Sequence, residues 1–223
     1  MKALMSWSSG KDSAHALAEL RRSREIDVCG LITTVNAAFD RIAMHGVRRE
    51  LLAAQAQALG LPLLGVEIPS PCSNEVYEQA FGGALTRARA DGITHVVFGD
   101  LFLEDIRAYR EAQLAKLGLT PVFPLWGRDT RALAGEMIAS GLRARLTCID
   151  PRHLDRSFAG RAFDDELLAD LPATVDPCGE RGEFHSFVTH SPLFSAPIDV
   201  RVGEIVERDG FVFADLKRPF PSE

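Results

Sequence analysis

The sequence predicts an α/β protein, with a doubly wound parallel sheet followed by a small C-terminal α+β appendage. Three observations carry this. Short apolar or β-branched runs alternate with helical stretches from Lys2 to about Ile149. A strand–helix–strand rhythm joins its strands by right-handed crossovers, which makes them parallel. After Asp150-Pro151 the rhythm breaks into mostly strand-like segments, so residues 1–150 are expected to form the main domain and 151–223 the smaller one.

Lys2-Ala-Leu-Met-Ser-Trp7 reads as a buried first strand that runs into a Ser/Gly loop. Asp12 or Ser13 is expected to cap a helix reaching about Arg22. The β-branched run Asp27 to Val35 reads as a second buried strand. From Gly46 to Gly60, Val47, Leu51, Ala54 and Ala58 recur at helical spacing, and Gly60 stands where a helix ends in a left-handed residue. Leu61 to Ile68 is the third strand, Glu75 to Ala90 a helix, and Thr94 to Phe98 the fourth strand, ending in Gly99-Asp100. Glu104 to Leu117 is a helix, Val122 to Trp126 a short strand, Thr130 to Ala139 a helix and Arg143 to Ile149 a further strand. Phe163 to Leu171 reads as one helix in the appendage. Phe184 to Val188, Ile198 to Val206 and Phe211 to Leu216 read as strands, with Asp209-Gly210 a hairpin turn between the last two.

Composition narrows the function classes. A net charge of −6 and a pI near 5.6 argue against a nucleic-acid partner, which favours a basic face. The four cysteines form no C-x-x-C pair, so neither a zinc ribbon nor a thioredoxin-like motif is expected. No stretch is long and apolar enough to span a membrane, and no signal peptide is visible, so the cytoplasm is the expected location.

Ser8-Ser9-Gly10-Lys11-Asp12-Ser13 lies between the first strand and the first helix. Ligands of open parallel sheets bind beyond the carboxyl ends of the strands, where a helix N-terminus offers N–H groups and partial positive charge to an anion. Gly10 lets the backbone approach a phosphate, the serine hydroxyls donate, and Lys11 adds a full charge. Asp12 has the wrong sign for phosphate and the right chemistry for Mg²⁺, an oxygen-seeking ion shared with substrate phosphates. A Walker A loop is excluded because Met5 and Asp12 stand where it needs glycine and Ser/Thr. A G-x-G-x-x-G fingerprint is excluded because only Gly10 is present.

Ser8-Ser9-Gly10-Lys11-Asp12-Ser13 resembles the PP-loop of N-type ATP pyrophosphatases. The preceding Trp7 makes it similar to the diphthine–ammonia ligase branch. The resemblance implies an adenine nucleotide alpha-hydrolase-like (HUP-type) fold. It also implies cleavage of ATP to AMP and pyrophosphate with adenylation of a substrate. It spans nearly the whole chain. His45-Gly46-Val47-Arg48 has a counterpart in that branch, where His45 and Arg48 face the nucleotide or the carboxyl substrate; a helix cap with solvated charges is the plainer alternative.

Gly99-Asp100 with Arg107, Arg110 and Glu111 resembles the family's Gly-Asp…Arg-x-x-Arg-Glu segment. It implies a nucleotide contact at Gly99, a second metal carboxylate in Asp100 and an anion-binding guanidinium in Arg110. Pro124-Leu125-Trp126 also matches, and Trp126 either stacks on substrate or packs in the core. Gly179-Glu180-Arg181-Gly182-Glu183-Phe184-His185-Ser186 matches a Gly-Glu-x-Gly-Glu-aromatic motif. It departs from the family's usual run at Arg181, His185 and Ser186. There the resemblance implies substrate contacts from Glu180, Glu183 and His185, with Glu183 also catalytic.

The expected activity is an ATP-dependent ligase. Lys11, Asp12, Asp100, Arg110 and Glu183 are its catalytic set, and Ser8, Ser9, Gly10 and Ser13 hold the nucleotide alongside them. ATP and Mg²⁺ are the cofactors. The acceptor is a carboxylate on a small molecule or protein side chain. With no room for a glutaminase domain, free ammonia or a separate subunit supplies nitrogen. A homodimer is compatible with this. The competing expectations are an RNA sulfur-transferase, which calls for paired cysteines and a basic groove, and a non-catalytic ATP sensor.

Overall fold

The computed structural model describes residues 1–42 and 45–219. Five parallel strands build the first sheet: β1 (Lys2–Ser6), β2 (Asp27–Asn36), β4 (Leu63–Ile68), β5 (His95–Val97) and β6 (Thr120–Val122). A two-residue strand, β3 (Arg41–Ile42), pairs antiparallel with the end of β2. β1 lies between β2 and β5, β4 pairs with the far edge of β2, and β6 with the far edge of β5. The chain therefore winds outward to one side through β2 and β4, then returns across β1 to wind the other way. That reversal between β1 and β5 is the crevice where such sheets bind ligands.

Helices cover both faces. In β1, Ala3 and Met5 point into one core and Leu4 into the other, the two-residue alternation of a strand. α1 (Lys11–Ser23) and α2 (Arg49–Leu59) bury Leu17, Leu51 and Leu52 on the first face. α3 (Asn74–Ala90) and α4 (Glu104–Lys116) bury Leu85 and Leu114 on the second. Gly60 closes α2 at φ 65°, as the sequence predicts. Ser73 caps α3 by accepting the Val76 N–H. Neither Asp12 nor Ser13 caps α1: its N-cap is Gly10, with no side-chain cap. Both side chains are thereby left to the crevice. No helix among the described residues is long and apolar enough to cross a membrane.

The second sheet is antiparallel throughout, in the order β8 (Phe184–His190), β7 (Arg143–Ile149), β10 (Phe211–Lys217), β9 (Arg201–Arg208). The sequence predicts β7 within the rhythm of the parallel strands. The structure puts it here, after α5 (Thr130–Ala139), so the sheets change ahead of Asp150-Pro151. Its apolar run suits either sheet, because Ala144, Leu146, Cys148 and Ile149 are buried between layers in both cases. β6 stops at Val122 where Phe123 to Gly127 turn, since Pro124 has no N–H for a ladder. The helix expected from Phe163 contracts to α6 (Asp165–Asp170), because the Asp164 side chain accepts the Leu167 N–H and caps it there. Asp209 and Gly210 both have positive φ, as a two-residue hairpin turn requires.

Candidate active site

The first turn of α1 meets the second sheet along β8. The Val188 N–H donates to the Ser9 carbonyl at 2.9 Å, and the Lys11 N–H donates to Ser186 Oγ at 3.2 Å. Ser9 sits at φ 71°, a conformation a non-glycine residue holds only under constraint. The constraint is Gln55, fully buried. Its Nε2 donates to the carbonyls of Ser9 (3.1 Å) and Val188 (2.7 Å), and its Oε1 accepts the Trp7 indole N–H at 2.8 Å. One α2 side chain thus ties the end of β1, the Ser8–Ser13 loop and the second sheet together.

Above this turn lies a cavity of about 220 Å³. It gathers Ser8, Gly10, Lys11, Asp12 and Ser13 from the loop, His45 from the segment before α2, and Gly99, Asp100 and Arg110 from beyond β5. Glu180, Phe184, His185 and Ser186 complete it from the second sheet and the loop before it. Gly99 is pressed against α1: a Cβ there would stand 2.9 Å from the Asp12 carbonyl carbon and the Ser13 nitrogen, so only glycine fits.

The charges are paired. The Lys11 ammonium donates to both Asp12 oxygens, at 3.0 and 2.9 Å, and to the Cys178 carbonyl, with the Phe163 and Phe184 rings 5.5 and 5.2 Å away. Burial would lower the Lys11 pKa, but Asp12, with smaller contributions from Cys178 and Glu180, holds the amine above its ordinary range. Burial lifts Asp12 above its ordinary value, and Lys11 offsets only part of that rise. Arg110 grips Asp100 at 2.9 Å and 3.1 Å, with its guanidinium 4.3 Å from the Phe98 ring. Glu180 accepts the Leu101 N–H at 2.7 Å. Burial, followed by the like charges of Asp12 and Asp100, pushes its carboxyl up to about 7. His45 and His185 lie ring to ring at 4.4 Å. Burial holds His45 well below its usual range, and burial together with Lys11 takes His185 down to about 4, so both are neutral near pH 7.

Four expected site residues lie elsewhere. Ser9 is under the loop, with its carbonyl spent on Gln55 and Val188. Arg48 makes a two-pronged pair with Asp215 on β10, at 2.9 and 2.7 Å, where Arg41 and Lys217 also converge. Trp126 packs edge-on against Phe123 and under Arg107, whose guanidinium carbon is 4.7 Å from its ring. Glu183 is 1% exposed, and its carboxylate accepts the backbone N–H groups of Asp176 (2.9 Å) and Arg181 (3.0 Å). It shapes the loop that carries Glu180 instead of facing the cavity. Gln55 and Ser186 escaped the sequence reading as site residues. Gln55 alone carried a readable signal, a polar residue at a core position of an amphipathic helix.

Residues 1–121 match the family described as diphthamide synthase N-terminal domain, and residues 129–219 match the diphthamide synthase C-terminal domain. The chain belongs to the diphthamide synthase family. Among curated members of this family's kind, the zebrafish (Danio rerio) diphthine–ammonia ligase is 28% identical over 238 residues, covering 94% of this chain and 90% of that protein. The human diphthine–ammonia ligase is 32% identical over 120 residues, covering 51% of this chain and 45% of that protein. The Schizosaccharomyces pombe diphthine–ammonia ligase is 34% identical over 106 residues, 46% of this chain and 18% of that protein. A solved structure described as a predicted subunit of tRNA methyltransferase from Methanocaldococcus jannaschii aligns with a TM-score of 0.46 at 16% identity, over 86% of this chain and 98% of that one. The first match ends within β6 and the second begins just before α5, close to where the parallel sheet gives way to the antiparallel one.

Proposed function

We propose that the chain is an ATP-dependent, amide-forming ligase of the diphthine–ammonia ligase kind, which adenylates a substrate carboxylate and passes the acyl group to ammonia. The observation that carries this reading is the cavity at the sheet's reversal point. Ser8, Gly10 and the first turn of α1 line it, with Gly99 packed directly against that turn and Asp100 beside it. A helix N-terminus in that position suits phosphates. Curated relatives named diphthine–ammonia ligase supply the reaction class.

The chemistry balances as two displacements. A carboxylate oxygen attacks the α-phosphorus, the bond to the bridging oxygen of the β-phosphate breaks, and pyrophosphate leaves. Ammonia nitrogen then attacks the acyl carbon, the bond to the AMP oxygen breaks, and a proton from nitrogen passes to a neighbouring base or water. The Ser8 and Ser13 hydroxyls and the loop N–H groups orient the phosphates. Lys11 keeps positive charge behind them, and Arg110 is placed to meet an anion once Asp100 turns to another partner. The neutral His45 and His185 close the cavity on the side of the second sheet and keep water out. Catalysis of this kind is positioning plus charge stabilisation.

Among the described residues no group of three or more His, Cys, Asp and Glu could hold a metal alone. Mg²⁺ fits in another way, since one or two carboxylates plus substrate phosphates and water satisfy it. Asp12 and Asp100, in one cavity, are the residues that would hold it. When bound, the ion would neutralise charge on the phosphates.

Sulfur transfer through the two buried thiols is disfavoured: burial pushes Cys148 up to about 12 and Cys178 further, leaving both poor nucleophiles. The deciding experiment incubates the protein with ATP, Mg²⁺, ammonium and candidate acids. Pyrophosphate and AMP are the expected products; ADP and orthophosphate would overturn the mechanism.

A further inference from the structure

Three serine hydroxyls close on Gly10, and only one of them has a hydrogen to spare. Ser13 Oγ donates to the Gly10 carbonyl at 2.9 Å. Ser8 Oγ accepts the Gly10 N–H at 3.3 Å and lies 3.3 Å from Ser13 Oγ. With the Ser13 hydrogen on Gly10, the Ser8 hydrogen fills that contact. Ser186, on β8, is 2% exposed, and its Oγ accepts the Lys11 N–H at 3.2 Å. Among the described residues its own O–H meets no acceptor. A buried donor without an acceptor is unfavourable, so this position calls for one from outside the chain. The Ser9 hydroxyl also lacks a partner, but it lies under the loop and borders no part of the cavity.

The surroundings say which kind of acceptor. Ser186 borders the cavity beside Ser8, Gly10, Lys11 and Asp12. The N-terminus of α1 has no side-chain cap, and its partial positive charge favours an anion. A Cβ on Gly10 would stand 3.2 Å from the Ser186 carbonyl and 3.5 Å from its Oγ, so glycine is what lets β8 come this close to the loop. We propose that Ser186 is a phosphate-contact residue: its O–H donates to a nucleotide phosphate oxygen on the first turn of α1, and the second sheet thereby completes the anion site. Ser8 and Ser13 must turn from their present partners to do the same, whereas Ser186 is already in place. Bound nucleotide then joins the Val188–Ser9 bond in holding β8 to the loop. The proposal rests on the ligase reading for the identity of the anion; the donor count stands on its own residues.

The test is calorimetric titration with ATP·Mg and with adenosine, which has no phosphate. Ser186→Ala is expected to weaken ATP binding by about tenfold or more and to leave adenosine binding unchanged, because a hydrogen bond to a charged oxygen is lost. Ser186→Thr, which keeps the hydroxyl, should restore ATP affinity. Ser186→Cys keeps an acceptor for the Lys11 N–H but is a weak donor, so it should fall with alanine; it carries the test if thermal denaturation shows that the alanine variant does not fold. At saturation, one ³¹P signal of bound ATP should differ between the parent and Ser186→Cys. Parent-like ATP affinity in the alanine or cysteine variant would overturn the proposal. An equal loss for adenosine, the mark of a purely structural role, would overturn it too, as would coincident ³¹P signals. Product analysis on the same samples separates the two readings: ADP and orthophosphate, with the dependence on Ser186 intact, would sink the ligase and leave the phosphate contact standing.

Discussion

Replacing Gln55 with leucine keeps the side chain's approximate volume and removes all of its hydrogen bonds. Three partners are affected. The Ser9 carbonyl retains the Val188 N–H at 2.9 Å, so it stays satisfied. The Trp7 indole N–H, on a residue 1% exposed, and the side-chain bond to the Val188 carbonyl are lost outright. Each buried polar group left without a partner costs about 1–3 kcal/mol, which makes a loss of about 2–6 kcal/mol the expectation for the pair. At about 2–4 °C per kcal/mol for a chain of this length, the melting temperature should fall by about 4–24 °C. The second consequence is functional. Ser9 loses one of the two bonds that hold it at φ 71°, so the phosphate loop loosens and ATP affinity should drop by about tenfold or more. Thermal denaturation with and without ATP·Mg measures both effects. A variant that melts within about 1 °C of the parent and binds ATP equally would refute the claim that this residue holds the loop.

Gly99→Ala should cost about 1–3 kcal/mol and weaken ATP binding, because the new methyl meets the α1 backbone and not a yielding side chain; chemical denaturation and nucleotide titration read the two effects. Glu180 holds its proton in the fold up to about pH 7, against an ordinary value of 4.5, so its contribution to stability is present below pH 4.5 and lost as pH rises through 7. Glu180→Gln should flatten that decline, seen as a smaller difference in melting temperature between pH 5 and pH 8 than in the parent. Arg48→Ala should lower stability by roughly 1 kcal/mol at neutral pH while ATP binding is retained, since Arg48 serves Asp215 and not the nucleotide cavity. Burial alone would raise Asp215, but Arg48 and Arg41 hold it far below the carboxylate range. Its contribution is therefore full above about pH 4 and fades with acid, and the two proteins should converge in stability there.

The site is legible in the sequence wherever its chemistry is local. Ser8, Gly10, Lys11, Asp12 and Ser13 occupy one turn, and a turn between an apolar strand and a helix has one place to go in a parallel sheet. Gly99 and Asp100 were readable for the same reason, as the first residues past another buried strand. Arg48 and Trp126 were read from motifs, and a motif records which residues recur without saying which way they point. Glu183 is assigned a catalytic role by its place in the Gly-Glu-x-Gly-Glu-aromatic motif. Its role depends on two backbone N–H groups, of Asp176 and Arg181, that a turn sequence does not reveal.

The sequence by itself determined the strand–helix alternation of the first sheet and the place of the Ser8–Ser13 loop between β1 and α1, because periodicity, strand burial and helix starts are set by residues a few positions apart. Tertiary structure alone decided where β7 pairs, since an apolar strand satisfies its ladder equally well in either sheet and only the path of the chain after α5 selects one. It alone brought Glu180 and His185 into one cavity with Lys11, some 170 residues away along the chain. Contacts of that reach arise from how whole layers pack, and no local pattern encodes them.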